Sequence, residues 1–270
     1  MASYLKLNSN KKALAGALTL TRALLDKYEV NAMSIKVNHN ISLLTSNSKA
    51  DKTNNLLSQF EVKFLQMAPA NEADKYQTVC RYSTPGCRSV CIYRNGNGRY
   101  PNVINSRTNK TLFYLNDTGL FMDKLMVETA MFEAGTRIQG KVPCIRPNTL
   151  SDIPWEQKHP EYMARFADVI FYDYTKWPYM QRPDESLPAN YHLVYSRSDK
   201  TSDHEIDINL TNGRSVAVVF RNELPDKYCG VKVVDGDRHD LTFLHSAPSI
   251  IGLLAKGMAK TDTSGFAVDK

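Results

Sequence analysis

Apolar residues recur at helical spacing over residues 12–29, KALAGALTLTRALLDKYE, with good helix formers between them. The next stretch, NHNISLLTSNSKADKTNN (38–55), is polar and Asn/Ser-rich and predicts a loop or linker. FEVKFLQMAP (60–69) predicts a strand ended by its proline. A second helical region follows, INSRTNKTLFYL (104–115). It runs into Asn116-Asp117 as an N-cap and then into TGLFMDKLMVETAMFEAG, expected to end at Gly135. Beyond that the rhythm changes to short, β-rich apolar runs: KVPCIRPN (141–148), DVIFYDYT (168–175), YHLVYS (191–196), SVAVVF (215–220) and SIIGLLAKG (249–257). HPEYMARFA (159–167) and TSDHEIDINLTNG (201–213) carry helical patterns between them.

Continuous apolar strands alternating with helices predict an α/β fold built on a parallel sheet covered on both faces. Full or partial closure into a β/α barrel is the expected form, with an open doubly wound sheet as the alternative, a basic, partly helical N-terminal extension over 1–59 and the core over 60–270. Polar residues sit just past the C-terminal ends of the strand runs, where α/β sheets bind ligands: Asn148, Ser151 and Asp152, then Tyr174 and Lys176, then Ser196 and Arg197, then Arg221.

Composition refines the picture. The chain has 270 residues, 42% hydrophobic and 23% charged, an ordinary globular balance. No apolar segment follows the basic residues of MASYLKLNSNKK, and ALAGALTL is too short to span a bilayer. A cytoplasmic setting without a membrane partner is therefore expected. Net charge is +6, and residues 1–50 hold seven Lys/Arg against Asp26 and Glu29. Such an arm can be a solvated helix face or can track a phosphate backbone.

The candidate chemistry lies in TVCRYSTPGCRSVC. Cys80, Cys87 and Cys91 are spaced C-x6-C-x3-C in a loop after a strand and before a helix. In a reducing compartment clustered cysteines point to metal or catalysis rather than to disulfides. A structural zinc would need a fourth ligand from afar, from Cys144, Cys229 or one of the six His. An iron–sulfur cluster held by three thiolates keeps one iron open for a non-protein ligand.

The segment CRYSTPGCRSVC resembles the cluster loop of phage-type members of the radical S-adenosylmethionine superfamily. RPNTLSDIPWE, VIFYDYTKWP and LPANYHLVYSRSD are similar to that superfamily's successive strand ends, in the same order from about residue 76 to 221. The chain resembles more closely, to its C-terminus, a phage and plasmid gene-product domain family of unknown function, through FYDYTK, NYHL, VVDGDRHDLTFL and GLLAKG. The last Cys gap is three residues where the superfamily has two, and NTLSDI stands where its Gly-Gly-Glu segment is expected.

The resemblance implies a [4Fe–4S] cluster on Cys80, Cys87 and Cys91, with S-adenosylmethionine chelated at the open iron and cleaved to a 5′-deoxyadenosyl radical by an electron from an external donor. It implies Ser151 and Asp152 at the methionyl part, Lys176 and Ser196 at ribose or carboxylate, and Arg221 at a substrate anion. The basic arm and the phage resemblance extend this to a nucleic acid or nucleotide substrate. Two alternatives stand beside it: a non-enzymatic binding protein with a structural zinc, and a nucleic-acid-binding accessory protein.

Three weaker signals remain. RNGNGR (94–99) lacks the preceding strand that a dinucleotide loop requires and predicts a turn. VVDGDRHDLTFLH (233–245) clusters Asp and His residues, but Asp-Gly between apolar runs predicts a hairpin turn. DYTKWPYMQRP (173–183) could offer stacking aromatics, although buried aromatics at a strand end are the commoner outcome.

Overall fold

A computed structural model describes residues 41–269. The helix expected over 12–29 and most of the basic arm lie outside the described residues. Ten strands form one sheet: β1 (Leu44–Thr45), β2 (Phe60–Leu65), β3 (Val142–Arg146), β4 (Ile170–Thr175), β5 (Tyr191–Ser196), β6 (Val216–Phe220), β7 (Lys227–Tyr228), β8 (Val231–Asp235), β9 (Ile250–Leu254) and β10 (Ala267–Val268). The order is β1-β2-β3-β4-β5-β6-β9-β8-β7, with β10 on β6. From β2 to β6, space follows sequence and every pairing is parallel. Among the described residues, only β1 against β2 and β7 against β8 run antiparallel. These two-residue strands end the sheet at either side and do not pair with each other, so full barrel closure does not occur and the sheet stays open.

The helices explain the sidedness. They are α1 (Ser48–Leu56), α2 (Pro85–Ser89), α3 (Pro101–Asn116), α4 (Thr118–Ile138), α5 (Trp155–Lys158), α6 (Pro160–Arg165) and α7 (Asp203–Thr211). Because side chains alternate along a strand, Ile145, Phe171, Tyr191 and Leu193 face one way and pack on Phe121, Leu125, Trp155 and Phe166. Tyr195, Val216, Val218 and Phe220 continue that face against Ile206 of α7. Val62, Phe64, Cys144 and Tyr172 face the other way, onto Ala50 of α1 and Leu241. The long crossover helices therefore lie on one face. The second face is covered by α1 and by the segment after β8.

Local differences from the sequence reading have identifiable causes. The stretch expected as a linker contains β1 and α1: the Asn47 side chain accepts from the N–H groups of Lys49 (2.9 Å) and Ala50 (3.1 Å), so an Asn that resembles loop composition is in fact an N-cap. Asp117 caps α4 as expected, accepting from Leu120 N–H at 3.1 Å, but the helix runs through Gly135. The glycine that follows its end is Gly140, at φ +70°. The hairpin is one step earlier than Asp-Gly suggested. Cys229 and Gly230 both have positive φ, the geometry of a two-residue hairpin, and join β7 to β8. Gly236 forms a turn, yet β8 pairs parallel with β9, so that turn links no antiparallel strands.

β5 pairs with only the first two residues of β6. β10 takes its place beside Val219 and Phe220, bringing the C-terminal segment to the C-terminal edge of the sheet. There Ala255, Ala259 and Ala267 pack on Val90 of the cysteine loop.

Phe121, fully buried on α4, packs edge-to-face on Phe113 and Tyr114 at the helix–sheet interface. Phe121→Ala is expected to lower unfolding free energy by about 3–5 kcal/mol, as measured by urea denaturation.

Candidate functional site

After β2 the chain crosses the C-terminal edge of the sheet and is tied there at three points. The Asp152 N–H donates to Val79 O at 2.8 Å, placing Cys80 at the end of β3. The Thr84 hydroxyl accepts from Cys87 N–H (3.1 Å), caps α2 and bonds Asp199, whose carboxylate also accepts from Gly86 N–H (3.3 Å). A Cβ at Gly86 would run into the Asp199 carboxylate and the Ser264 hydroxyl, so any side chain at this point of the approach of α2 to the strand-end loops would displace those groups. Val90 packs into the C-terminal segment and completes the anchorage.

This path places Cys80 buried and Cys87 and Cys91 half-buried. Cys80 Sγ accepts from Ala70 N–H (3.2 Å) and its thiol lies 3.4 Å from Leu150 O. Burial pushes the Cys80 thiol up to about 12; the Ala70 N–H opposes this, while Asp152, Cys87 and Cys91 add to it. Burial also raises the Cys91 thiol, against the Tyr93 N–H and the positive charge of Lys176, with Cys87 adding. Among the described residues, no three His, Cys, Asp or Glu side chains gather closely enough to hold a metal ion. Cys144 faces the α1 side of the sheet and Cys229 is exposed in the hairpin.

The strand-end residues divide into two sets. Lys176 and Ser196 are brought together: Lys176 Nζ donates to Ser196 Oγ (2.7 Å) and Ser196 O (3.2 Å) and lies 5.2 Å from the Phe266 ring centre. Among the described residues, Lys176 pairs with no carboxylate. Ser151 and Asp152 instead turn into the protein. Ser151 Oγ donates to Asn148 Oδ1 at 2.9 Å. Asp152 accepts from Thr175 Oγ1 (2.8 Å) and Lys176 N–H (2.7 Å), and its carbonyl accepts from Trp177 Nε1 (3.0 Å). Arg221 serves the C-terminal strand: it donates to Asp269 (2.8 Å), Ala267 O (3.2 Å) and Asp262 O. Trp177 and Tyr179 are buried, so DYTKWPYMQRP forms a packed strand end rather than a stacking surface.

The centre of this inner network is Arg182, which the strand-end pattern did not single out. It has no exposed surface, grips Glu156 through Nε and Nη2 (both 2.7 Å), and donates to Thr175 Oγ1 (3.0 Å) and Tyr191 OH (3.2 Å). Asp173 is buried beside it and accepts from Asn148 N–H (2.8 Å), Asn148 Nδ2 (3.0 Å) and Tyr191 OH (2.9 Å). Burial pushes its carboxyl up to about 7, against the pull of Arg146 and those donors. Its visible signal was a charged residue inside the apolar run VIFYDYT.

A second network occupies the opposite face. Asp240, with no exposed surface, accepts from Lys49 (2.6 Å), Arg146 (3.1 Å) and Tyr172 OH (2.9 Å), while its N–H donates to Thr53 Oγ1 (3.0 Å). These bonds fix α1 and the segment after β8 to β3 and β4.

Fold and site together define a class: an open, mostly parallel α/β sheet, its long crossover helices on one face, with a three-thiol loop across its C-terminal edge. The chain belongs to the Gene product 88 family, a phage-type gene-product family whose profile spans residues 39–270. The matched region takes in β1 and α1 as well as the core. No curated protein and no solved structure matches the chain. Among the described residues no helix is long and apolar enough to cross a membrane.

Arg182→Ala is expected to cost about 3–5 kcal/mol, because it leaves Glu156 and Asp152 buried without their cation; Arg182→Met combined with Glu156→Leu should cost far less, as read by urea unfolding. A second prediction concerns pH. Burial alone would raise the Asp240 carboxyl, but Lys49, Arg146 and the Tyr172 hydroxyl hold it below the ordinary carboxylate range. Its contribution is therefore fully present above the unfolded value, about 3.9, and is lost as pH falls from there through the lower value of the folded state. Wild-type unfolding free energy should fall more steeply below pH ~4 than that of Asp240→Asn.

Proposed function

We propose that this chain is an iron–sulfur protein of the radical S-adenosylmethionine type, with Cys80, Cys87 and Cys91 as the thiolates of a [4Fe–4S] cluster. One observation carries the reading. Three thiols, with no fourth Cys and no His in the same loop, sit on a loop anchored at the sheet edge where α/β proteins take ligands, and binding has to gather them, because they are not preassembled as a metal site. The donors suit such a group. The peptide N–H groups of Ala70 and Tyr93 are aimed at two of the sulfurs and favour thiolate, and hydrogen bonds of this kind tune cluster potential. Binding would displace the thiol protons and draw half-buried Cys87 and Cys91 toward Cys80. A bound cluster with one open iron supplies an electron and a chelating position for S-adenosylmethionine.

The chain's own groups have separate tasks in this reading. Lys176 places a positive charge near Cys91 and, with Ser196, offers donors for a ribose or carboxylate. Asp152 is a positioning residue, since it holds the Lys176 N–H and the Trp177 ring. An electron donor and a host-cytoplasm setting belong to the same reading. A second reading, a non-enzymatic binding protein with a structural zinc, draws on the fact that Ser151 and Asp152 are already engaged inside the protein.

Anaerobic purification separates them. The first reading requires iron and labile sulfide with broad visible charge-transfer absorption, lost in Cys80→Ala, and weaker S-adenosylmethionine binding in Lys176→Ala at unchanged iron content. Zinc near one equivalent per chain without sulfide would select the second.

A further inference from the structure

We propose that the rim of the cysteine loop binds single-stranded nucleic acid. This names the substrate class of the reading above; it rests on that reading only for the claim that the bound strand is acted upon.

Between Asp74 and Asp117 the chain carries seven Lys/Arg and no Asp or Glu. Three of the seven are used internally: Arg94 pairs with Glu72 (2.6 Å), Arg107 donates to Tyr93 O (2.8 Å) and Gln66 (3.1 Å), and Lys110 donates to Leu43 O (3.0 Å). The remaining four, among them Arg81, Arg88 and Arg99, are exposed and, among the described residues, pair with no carboxylate. Of the acids that flank or touch this stretch, Glu72 pairs with Arg94, while Asp74 accepts from the N–H groups of Tyr76 (2.7 Å) and Gln77 (3.0 Å) and Asp199 from Thr84 and Gly86, so none is paired with these four. A net excess of exposed cations on one loop attracts a polyanion.

The same loop selects an unpaired strand. Tyr76 is 82% exposed with Lys75 Nζ 4.7 Å from its ring centre, and Ile92 is 54% and Tyr100 51% exposed, a large apolar area to leave in water on a cationic loop. Aromatic faces on a basic surface stack on bases, and only an unpaired strand presents base faces; a duplex offers its phosphates alone. Lys176, half-buried without a carboxylate, lies near Cys91 and extends the positive charge from the rim toward the thiols.

Fluorescence anisotropy on the full chain tests this with labelled oligothymidylate and oligouridylate of about 20 nucleotides, longer than a single site of roughly 4–16. A matched duplex and phosphatidylserine vesicles serve as competitors. Single strands should bind at least about tenfold more tightly than duplex. The triple variant Arg81→Ala/Arg88→Ala/Arg99→Ala should lose affinity and flatten the log–log salt slope by about 2. Tyr76→Ala/Tyr100→Ala should weaken binding about tenfold with the slope unchanged. Metal-free protein, checked for folding by circular dichroism, should keep the wild-type affinity, so the surface can stand even where the cluster reading fails. A triple variant with wild-type affinity and slope would assign any binding to the basic N-terminal arm and overturn the proposal, as would equal affinity for duplex or for the vesicles.

Discussion

Arg182 enters the interior with its charge intact, and the geometry of the C-terminal edge depends on what it meets there. It is gripped at two points by Glu156 and bonded to Thr175 and Tyr191, with Asp152 at 3.5 Å. These partners belong to the segment after β3, the end of β4 and the start of β5, so one guanidinium fixes three neighbouring stretches of chain. Burying such a group costs desolvation that its ion pairs only offset, so its value lies more in geometry than in net stability. Once Asp152 is fixed, the Val79 carbonyl is fixed through the Asp152 N–H, and with it the position of Cys80.

The sheet was legible because its strands are buried on both faces and read as unbroken apolar runs. The crossover helices were legible from their spacing and from Asp117. What was not legible depends on partners far away in sequence. Asn47 looks like linker composition until it caps α1. Arg182 sits in a Pro-rich polar stretch where nothing local distinguishes a buried arginine from a solvated one. Ser151 and Asp152 were visible as strand-end polar residues, but their direction, inward, is set by Asn148, Thr175 and Arg182. Lys176 and Ser196 were equally visible, and they do meet, because both lie at the ends of adjacent parallel strands on the same side of the sheet.

β4 shows how one strand serves two networks. Phe171 packs among the crossover helices while Asp173 and Thr175, on the same side, join Arg182 and Asn148. On the opposite side Tyr172 bonds Asp240, and the Tyr174 ring lies 4.6 Å from the Arg146 guanidinium. Polar character thus appears on both faces toward the C-terminal end. This gradient explains why the α1 segment belongs with the core: without Lys49 and the Thr53 hydroxyl, Asp240 would lose two of the groups that fix it against β3 and β4.

The two networks constrain the thiol loop differently from its rim. The loop's path is held at Val79, at Thr84 and Gly86, and at Val90, through partners on the segment after β3, on the segment after β5 and on the C-terminal segment. The sulfurs therefore take their positions from the sheet rather than from the loop's own sequence. The arginines between them have no such anchors: Arg88 bonds only its neighbour Ser83, at 2.9 Å, and Arg81 leans on the Trp177 ring at 5.8 Å. Cations left in water retain their hydration and rotamer freedom until a partner arrives, and surface arginine pairs contribute little to folding. The path of the thiol loop is thus set by the core, whereas the charges at its rim are left to solvent.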